Sequence, residues 1–361
     1  MPAFDHDALS GAFDFARRRV EAGEIPFTVL AVGGAQGEVR TDAYWPANGT
    51  DNPGAGAVCL LASITKPIFG TMVARLASEG RFSLVEPLNR WLPELDAAGL
   101  APFSAWHVLT HTTGLHDINL EGLLMSGGTR KQMLAATIAS GQKSAPGAAF
   151  HYTSFTFDLL AEALVRALDR PFEELLAETV LAPLGMHETA FEPSDALRAA
   201  GRVAPVKLGS LDGTRNPEAD AVPDDVAVRA FSALHLAGGG LWSTAHDLLR
   251  FGRAWLRGGE LDGVRLLGRP IVDLWTRELQ IPLFAPVADP LAADHYAIGW
   301  GKPGPATPAT PGAFGHGGVS GTRLWIDPAH DLVFVFLSGA WGTISPRIDE
   351  QLLAVYAALE P

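Results

Sequence analysis

The sequence predicts an α+β protein in which an antiparallel sheet drawn from both termini is flanked by helices and carries a long, mainly helical insertion. Apolar, β-branched runs near both ends, 27–45 and 323–337, read as paired strands across turns. Between them, residues 71 to 234 show helical segments punctuated by Pro and Gly. Residues 1–70 and 235–361 are therefore expected to form one domain and residues 71–234 a second, helical one.

Each element follows from its local pattern. Leu9, Phe13, Phe15, Ala16 and Val20 recur among charged neighbours, which predicts an opening amphipathic helix over 5–22. Phe27 to Val32 reads as a strand, Gly33 to Gly37 as a turn, and Glu38 to Trp45 as the returning strand. Helices are expected over 71–78, 104–109, 129–140 and 155–168. Residues 207–227 hold Asp220, Asp224 and Asp225 with Gly209, Gly213, Pro217 and Pro223, and read as a loop bordering a substrate cleft. A helix over 245–256 comes next, then a Pro/Ala/Thr/Gly-rich surface loop over 303–313. Strands 323–326 and 332–337 join across Asp327 to Asp331, and a helix over 345–359 ends the chain.

Composition narrows the function. With 361 residues, 47% hydrophobic and 19% charged, the chain has material for a sizeable core, unlike a disordered protein. The net charge of −13 repels phosphate backbones and excludes nucleic acid as an expected partner. One cysteine, Cys59, cannot form an internal disulfide. The amino terminus lacks a basic start followed by an apolar run, and the apolar stretch 332–337 is far short of the ~20 residues that cross a bilayer, so a cytoplasmic, membrane-free protein is expected.

The sharpest chemical signal is Ser63-Ile64-Thr65-Lys66. On a helix, positions i and i+3 share a face, so the Ser63 hydroxyl and the Lys66 amine can meet. Pro67 suits a first turn, where N–H groups lack partners, and puts Ser63 at the positive end of a helix dipole. A serine hydroxyl needs a base to become a nucleophile, and a lysine of lowered pKa can help. Four-residue matches of this kind also arise by chance, so the motif needs company.

Company is present. Ser63-Ile64-Thr65-Lys66, Leu109-Thr110-His111-Thr112-Thr113-Gly114-Leu115, Tyr152-Thr153-Ser154, Gly238-Gly239-Gly240-Leu241-Trp242-Ser243-Thr244 and His316-Gly317-Gly318 follow one another with separations that resemble the class C β-lactamase-like serine hydrolases. That family includes class C β-lactamases, DD-peptidases and family VIII carboxylesterases, and the likeness runs from about residue 25 to the carboxyl end. It implies the β-lactamase-like fold, with the active site in the cleft between the two domains. It also implies Ser63 as nucleophile, Lys66 as the motif lysine and Tyr152 as the tyrosine that reaches the nucleophile. In water a phenol titrates near ~10, and an adjacent ammonium is expected to bring Tyr152 toward neutrality. The expected mechanism has Tyr152, its proton affinity tuned by Lys66, deprotonate Ser63, and which of the two finally holds the proton stays open at this level.

Two positions depart from the family pattern. Ser154 stands where Asn is usual, which removes the amide that contacts an acyl amide, and His316 stands where β-lactamases carry Lys, which weakens the grip on a substrate carboxylate. Gly317 and Gly318 would let an edge strand approach the acyl group, and the N–H of Val319 is implied as the second oxyanion donor beside that of Ser63.

Other candidates carry less. His107, His111 and His116 mimic metal-ligand spacing, but no carboxylate or thiolate completes a set. Gly238-Gly239-Gly240 lacks the Lys-Ser/Thr of a phosphate cradle, Cys59 reads as a small buried residue, and no Gly-x-Ser-x-Gly elbow occurs. No metal or organic cofactor is expected. Ester hydrolysis on a small-molecule substrate ranks first. β-Lactamase or D-amino-acid peptidase activity on an amide comes second, acyl transfer to a non-water acceptor third, and a noncatalytic ligand-binding role is the alternative of another class. Trp106, Trp242, Trp275, Trp300, Trp325 and Trp341 are candidate pocket residues, most of them expected in the core. Loops 117–128, 207–227 and 280–295 are expected to set the substrate.

Overall fold

The computed structural model describes residues 2–47, 52–118, 127–206, 224–279, 296–304, 307–341 and 348–360. Helix α1 (His6–Glu21) opens the chain, its first turn capped by the Asp5 carboxylate, which accepts from the Ala8 N–H at 2.7 Å. Strands β1 (Thr28–Gly34) and β2 (Gly37–Tyr44) form the expected hairpin. Near the carboxyl end come β5 (Phe314–Gly318), β6 (Thr322–Asp327) and β7 (Leu332–Leu337), after the two-residue strands β3 (Cys59–Leu60) and β4 (Trp242–Ser243), which pair with each other. The large sheet has the order β2-β1-β7-β6-β5, antiparallel throughout, so both termini meet at the β1–β7 pair.

The run Leu332-Val333-Phe334-Val335-Phe336-Leu337 is buried end to end because both faces of the sheet are covered. Leu332, Phe334 and Phe336 pack with α1 and with α8 (Ile348–Tyr356), whereas Val333, Val335 and Leu337 join the main core. On that second face, α7 (Ala245–Leu256) comes close enough that a Cβ on Gly252 would lie 2.5 Å from Val333 Cγ1. Only glycine permits this helix–sheet spacing.

Between the two groups of strands run α2 (Thr65–Ser78), α3 (Ala105–Leu109), α4 (Arg130–Ala139), α5 (Thr156–Leu168) and α6 (Asp224–Leu234), with shorter helical turns among them. The loop expected over 207–227 is corrected at its end, because Asp224 to Ala227 belong to α6. The helical signal there comes from Val228, Phe231 and Leu234, buried three residues apart, which lie beyond the Pro- and Asp-rich stretch that masks the start. Residues 207–223, like 119–126 and 280–295 of the other expected substrate loops and 345–347 of the final helix, lie outside the described residues. No described helix is long and apolar enough to cross a membrane.

Candidate active site

Ser63 sits where β3 hands over to α2, in a single 3-10 turn, Ala62–Ile64. The turn is tightly held. Ala62 has a left-handed φ of 47°, a conformation a residue with a Cβ adopts only when its surroundings enforce it. The Leu61 N–H donates to the Leu241 carbonyl at 2.8 Å, and the Leu241 N–H donates to Thr65 Oγ1 at 3.1 Å. From the sheet side, the Ser320 hydroxyl donates to the Leu60 carbonyl at 2.7 Å and the Thr322 hydroxyl to the Leu61 carbonyl at 2.9 Å. These two bonds lash the turn after β5 to the serine turn and bring Val319 to the same cavity wall as Ser63. Nothing in the sequence pattern marked Ser320 and Thr322 for this task.

Gly318 completes the join. A Cβ there would lie 2.2 Å from the Leu61 carbonyl oxygen and 2.2 Å from Thr322 Oγ1, so its absence serves the contact between β5 and the serine turn. At Gly317 a Cβ would meet only the Arg323 side chain and the Thr322 carbonyl, at an ordinary 3.7 Å. In this structure the close approach that glycine permits is therefore to the protein itself.

At the second position of α2, one turn after Ser63, Lys66 is fully buried. Its Nζ lies 3.0 Å from Ser63 Oγ, 2.8 Å from the Gly238 carbonyl oxygen and 3.4 Å from Ser154 Oγ, and 4.8 Å from the centre of the Tyr152 ring. The glycine block thus supplies a carbonyl to the lysine. Burial penalises the ammonium and pulls Lys66 down to about 7, against the opposing pull of the Asp117 and Asp158 charges.

Tyr152 lines the same cavity as Ser63 and Ser154, whose side chains oppose the effect of burial on its phenol, and its ring stacks on His111 with centroids 4.4 Å apart. Burial pushes the phenol up, away from neutrality. This reverses the expectation of a tyrosine acidified by a neighbouring ammonium: the same burial strips Lys66 of much of its charge near pH 7 and disfavours a phenolate beside it. Of the two, the amine is the group held nearer to neutrality. His111, itself at φ 54°, accepts the Thr153 N–H on Nδ1 at 3.3 Å and so backs the tyrosine.

His316, on β5, is buried with Nδ1 2.7 Å from the Gly317 carbonyl, which requires Nδ1 to carry the hydrogen and leaves Nε2 as an unpartnered acceptor. Burial, reinforced by Lys66, pulls His316 to about 3, so the ring is neutral at working pH. His316, Gly317 and Gly318 are not among the residues that line the cavity.

The cavity has a volume of about 280 Å³. Ser63, Tyr152, Ser154 and Val319 open onto it beside an apolar wall of Ile118, Phe155, Phe231, Leu236 and Trp341. Of the six tryptophans considered, Trp341 lines it, whereas Trp242, Trp275 and Trp300 are core residues. Two lining carboxylates escaped the sequence reading. Asp117 accepts the Ser154 N–H at 3.1 Å, and Asp158, on α5, accepts Arg130 Nη1 and the Ala237 N–H through Oδ1, both at 2.9 Å. Neither belongs to a local motif, since each reaches the site through tertiary contacts. His107 is occupied in capping α3, and no cluster of three metal-ligating side chains occurs among the described residues.

Known proteins resemble this chain in sequence and in fold. A model of the family described as Beta-lactamase matches residues 14–358. Protein Rv1367c of Mycobacterium tuberculosis is 31% identical, over 77% of this chain and 76% of its own. Esterase EstB of Burkholderia gladioli is 32% identical over 53% of this chain and 55% of its own. The solved structure of a family VIII carboxylesterase superposes with a TM-score of 0.75 at 19% identity, covering 99% of both chains, a likeness of fold.

Proposed function

The chain belongs to the beta-lactamase family, a group of serine hydrolases with esterase, peptidase and acyltransferase members, and from that premise we propose that it cleaves carboxylic esters through a covalent acyl-enzyme on Ser63. The observation that carries the proposal is the contact of 3.0 Å between Ser63 Oγ and an amine held at about 7. A neutral amine at hydrogen-bond distance is a competent general base at physiological pH.

The reaction runs in two halves. Lys66 takes the Ser63 proton as Oγ attacks the ester carbonyl, and the N–H groups of Ser63 and Val319 hold the oxyanion. Collapse of the tetrahedral intermediate returns the proton from Lys66, through the Tyr152 hydroxyl, to the departing alcohol. Water then gives its proton to the same amine, attacks the acyl group and frees the acid, and Ser63 recovers its hydrogen. Tyr152 acts throughout as a phenol, a donor and acceptor in one group. Residues 71–234 supply Tyr152 and Ser154 and serve as the inserted helical wall of the cleft.

Two features favour esters. Ser154 offers a hydroxyl where an acyl amide would need an amide partner, and among the described lining residues no Lys, Arg or charged His is present to anchor the carboxylate that β-lactams and peptides carry. The wall suits an apolar acyl or alcohol group, as the name of EstB would suggest for a relative. A fluorophosphonate probe should add its mass to Ser63 and leave Ser63→Ala unlabelled. Parallel initial rates should then favour short p-nitrophenyl esters over nitrocefin and a D-alanyl peptide by about a hundredfold or more in kcat/KM, the discrimination a missing polar partner can supply. A folded but unlabelled protein would overturn the serine mechanism, and equal rates on nitrocefin would overturn the ester assignment.

A further inference from the structure

We propose that the cavity selects esters whose acyl or alcohol part carries an ammonium group on a short apolar stem, and rejects those that carry a carboxylate; this rests on the hydrolase reading above. Among the described lining residues the carboxyl side chains are Asp117 and Asp158, and no Lys, Arg or His is present. Asp158 is 1% exposed, and its two oxygens are unequally served. Oδ1 takes both the Arg130 and the Ala237 donors, whereas Oδ2 is buried with no partner. An unpaired buried carboxylate oxygen is costly, and an N–H donor on a ligand would satisfy it.

The surrounding charges agree. Arg130 meets Asp158 from outside the cavity, and Lys66 directs its nitrogen to Ser63, Ser154 and Gly238. Lys143, which feels the Asp117 charge, is not a lining residue. His316, at the position where β-lactamases carry a lysine, is neutral and buried. An anionic group would thus enter a space walled by carboxylates with no cation to meet it. Phe155, Phe231 and Trp341 also line the space, the last two with ring centroids 4.9 Å apart, and aromatic faces favour a cation over an anion.

Three ethyl p-nitrophenyl alkylphosphonates, uncharged at phosphorus and of matched size, test this, with 3-methylbutyl, 2-(dimethylammonio)ethyl and 2-carboxyethyl tails. The dissociation constant of the complex preceding phosphonylation of Ser63 is measured for each at about pH 7.5, where the ammonium and the carboxylate are both ionised. The ammonium probe should bind about tenfold tighter or more than the neutral one, and the carboxylate probe about tenfold weaker or more. Asp158→Asn should shrink the ammonium advantage to about threefold or less. Asp117→Asn, a change at an exposed residue, should reduce it as well and guards against misfolding of the Asp158 variant. Labelling of Ser63 with constants that agree within about twofold, or a preference for the carboxylate, would overturn the selectivity while sparing the hydrolase. Failure of all three probes to label Ser63 would overturn the hydrolase reading and the selectivity with it.

Discussion

Lowering the pH through neutrality should switch off acylation of Ser63 by protonating Lys66. Burial holds this amine at about 7 rather than the usual 10.5, which at 1.36 kcal/mol per pH unit disfavours the ammonium by about 5 kcal/mol. At pH 7 about half of the molecules then hold a free base 3.0 Å from Ser63 Oγ, against about one in three thousand for an ordinary lysine, a gain of about a thousandfold in competent enzyme. The sign is fixed by the active form. The free amine is lost as pH falls, so the acylation rate should level off above about pH 8 and drop about tenfold per unit below about 6. Stopped-flow bursts of p-nitrophenol, read at the isosbestic wavelength between about pH 5 and 9, give the profile. Asp117→Asn should move the midpoint lower, because the Asp117 charge supports the ammonium. A rate that is flat from about pH 5.5 to 8.5, or a midpoint above about 9, would refute the argument that burial makes Lys66 the base.

Other outcomes follow from the same geometry. Lys66→Met should abolish turnover yet stabilise the fold by about 2 kcal/mol at pH 7 in urea titration, the relief from burying the amine being offset in part by the orphaned Gly238 carbonyl. The native state lacks a proton that the unfolded chain binds between about pH 7 and 10.5, so wild-type stability falls as pH drops through that window, and the gain in the variant should be smaller at about pH 9.5 than at pH 7. Tyr152→Phe should lower kcat by about a hundredfold or more with an unchanged circular dichroism spectrum, since it deletes the hydroxyl that the mechanism uses and keeps the ring on His111. Gly318→Ala should depress both Tm, by several degrees, and phosphonate labelling, because its Cβ would collide with the Leu61 carbonyl and part β5 from the serine turn.

Periodicity carried β1, β2, β6 and β7 of the sheet, with α1, α5 and α7, almost to their observed ends, because their apolar residues face a core on one or both sides of each element, whereas the glycine-rich β5 holds no such pattern. Two-residue pairings such as β3 with β4 hold no period to read, yet this one positions the serine turn against Leu241. The Ser63–Lys66 contact was legible for a local reason: three residues of helical turn fix it, whatever the rest of the chain does.

By itself the sequence determined most of the longer elements, the family and the serine–lysine pair, since each rests on neighbours along the chain or on ordered motifs. Tertiary structure alone decided the electrostatics. That Lys66 is depressed while Tyr152 is raised, that His316 is neutral and buried, and that Asp117 and Asp158 reach the cavity all depend on which groups are withdrawn from water together, and desolvation is a property of packing that no stretch of sequence carries.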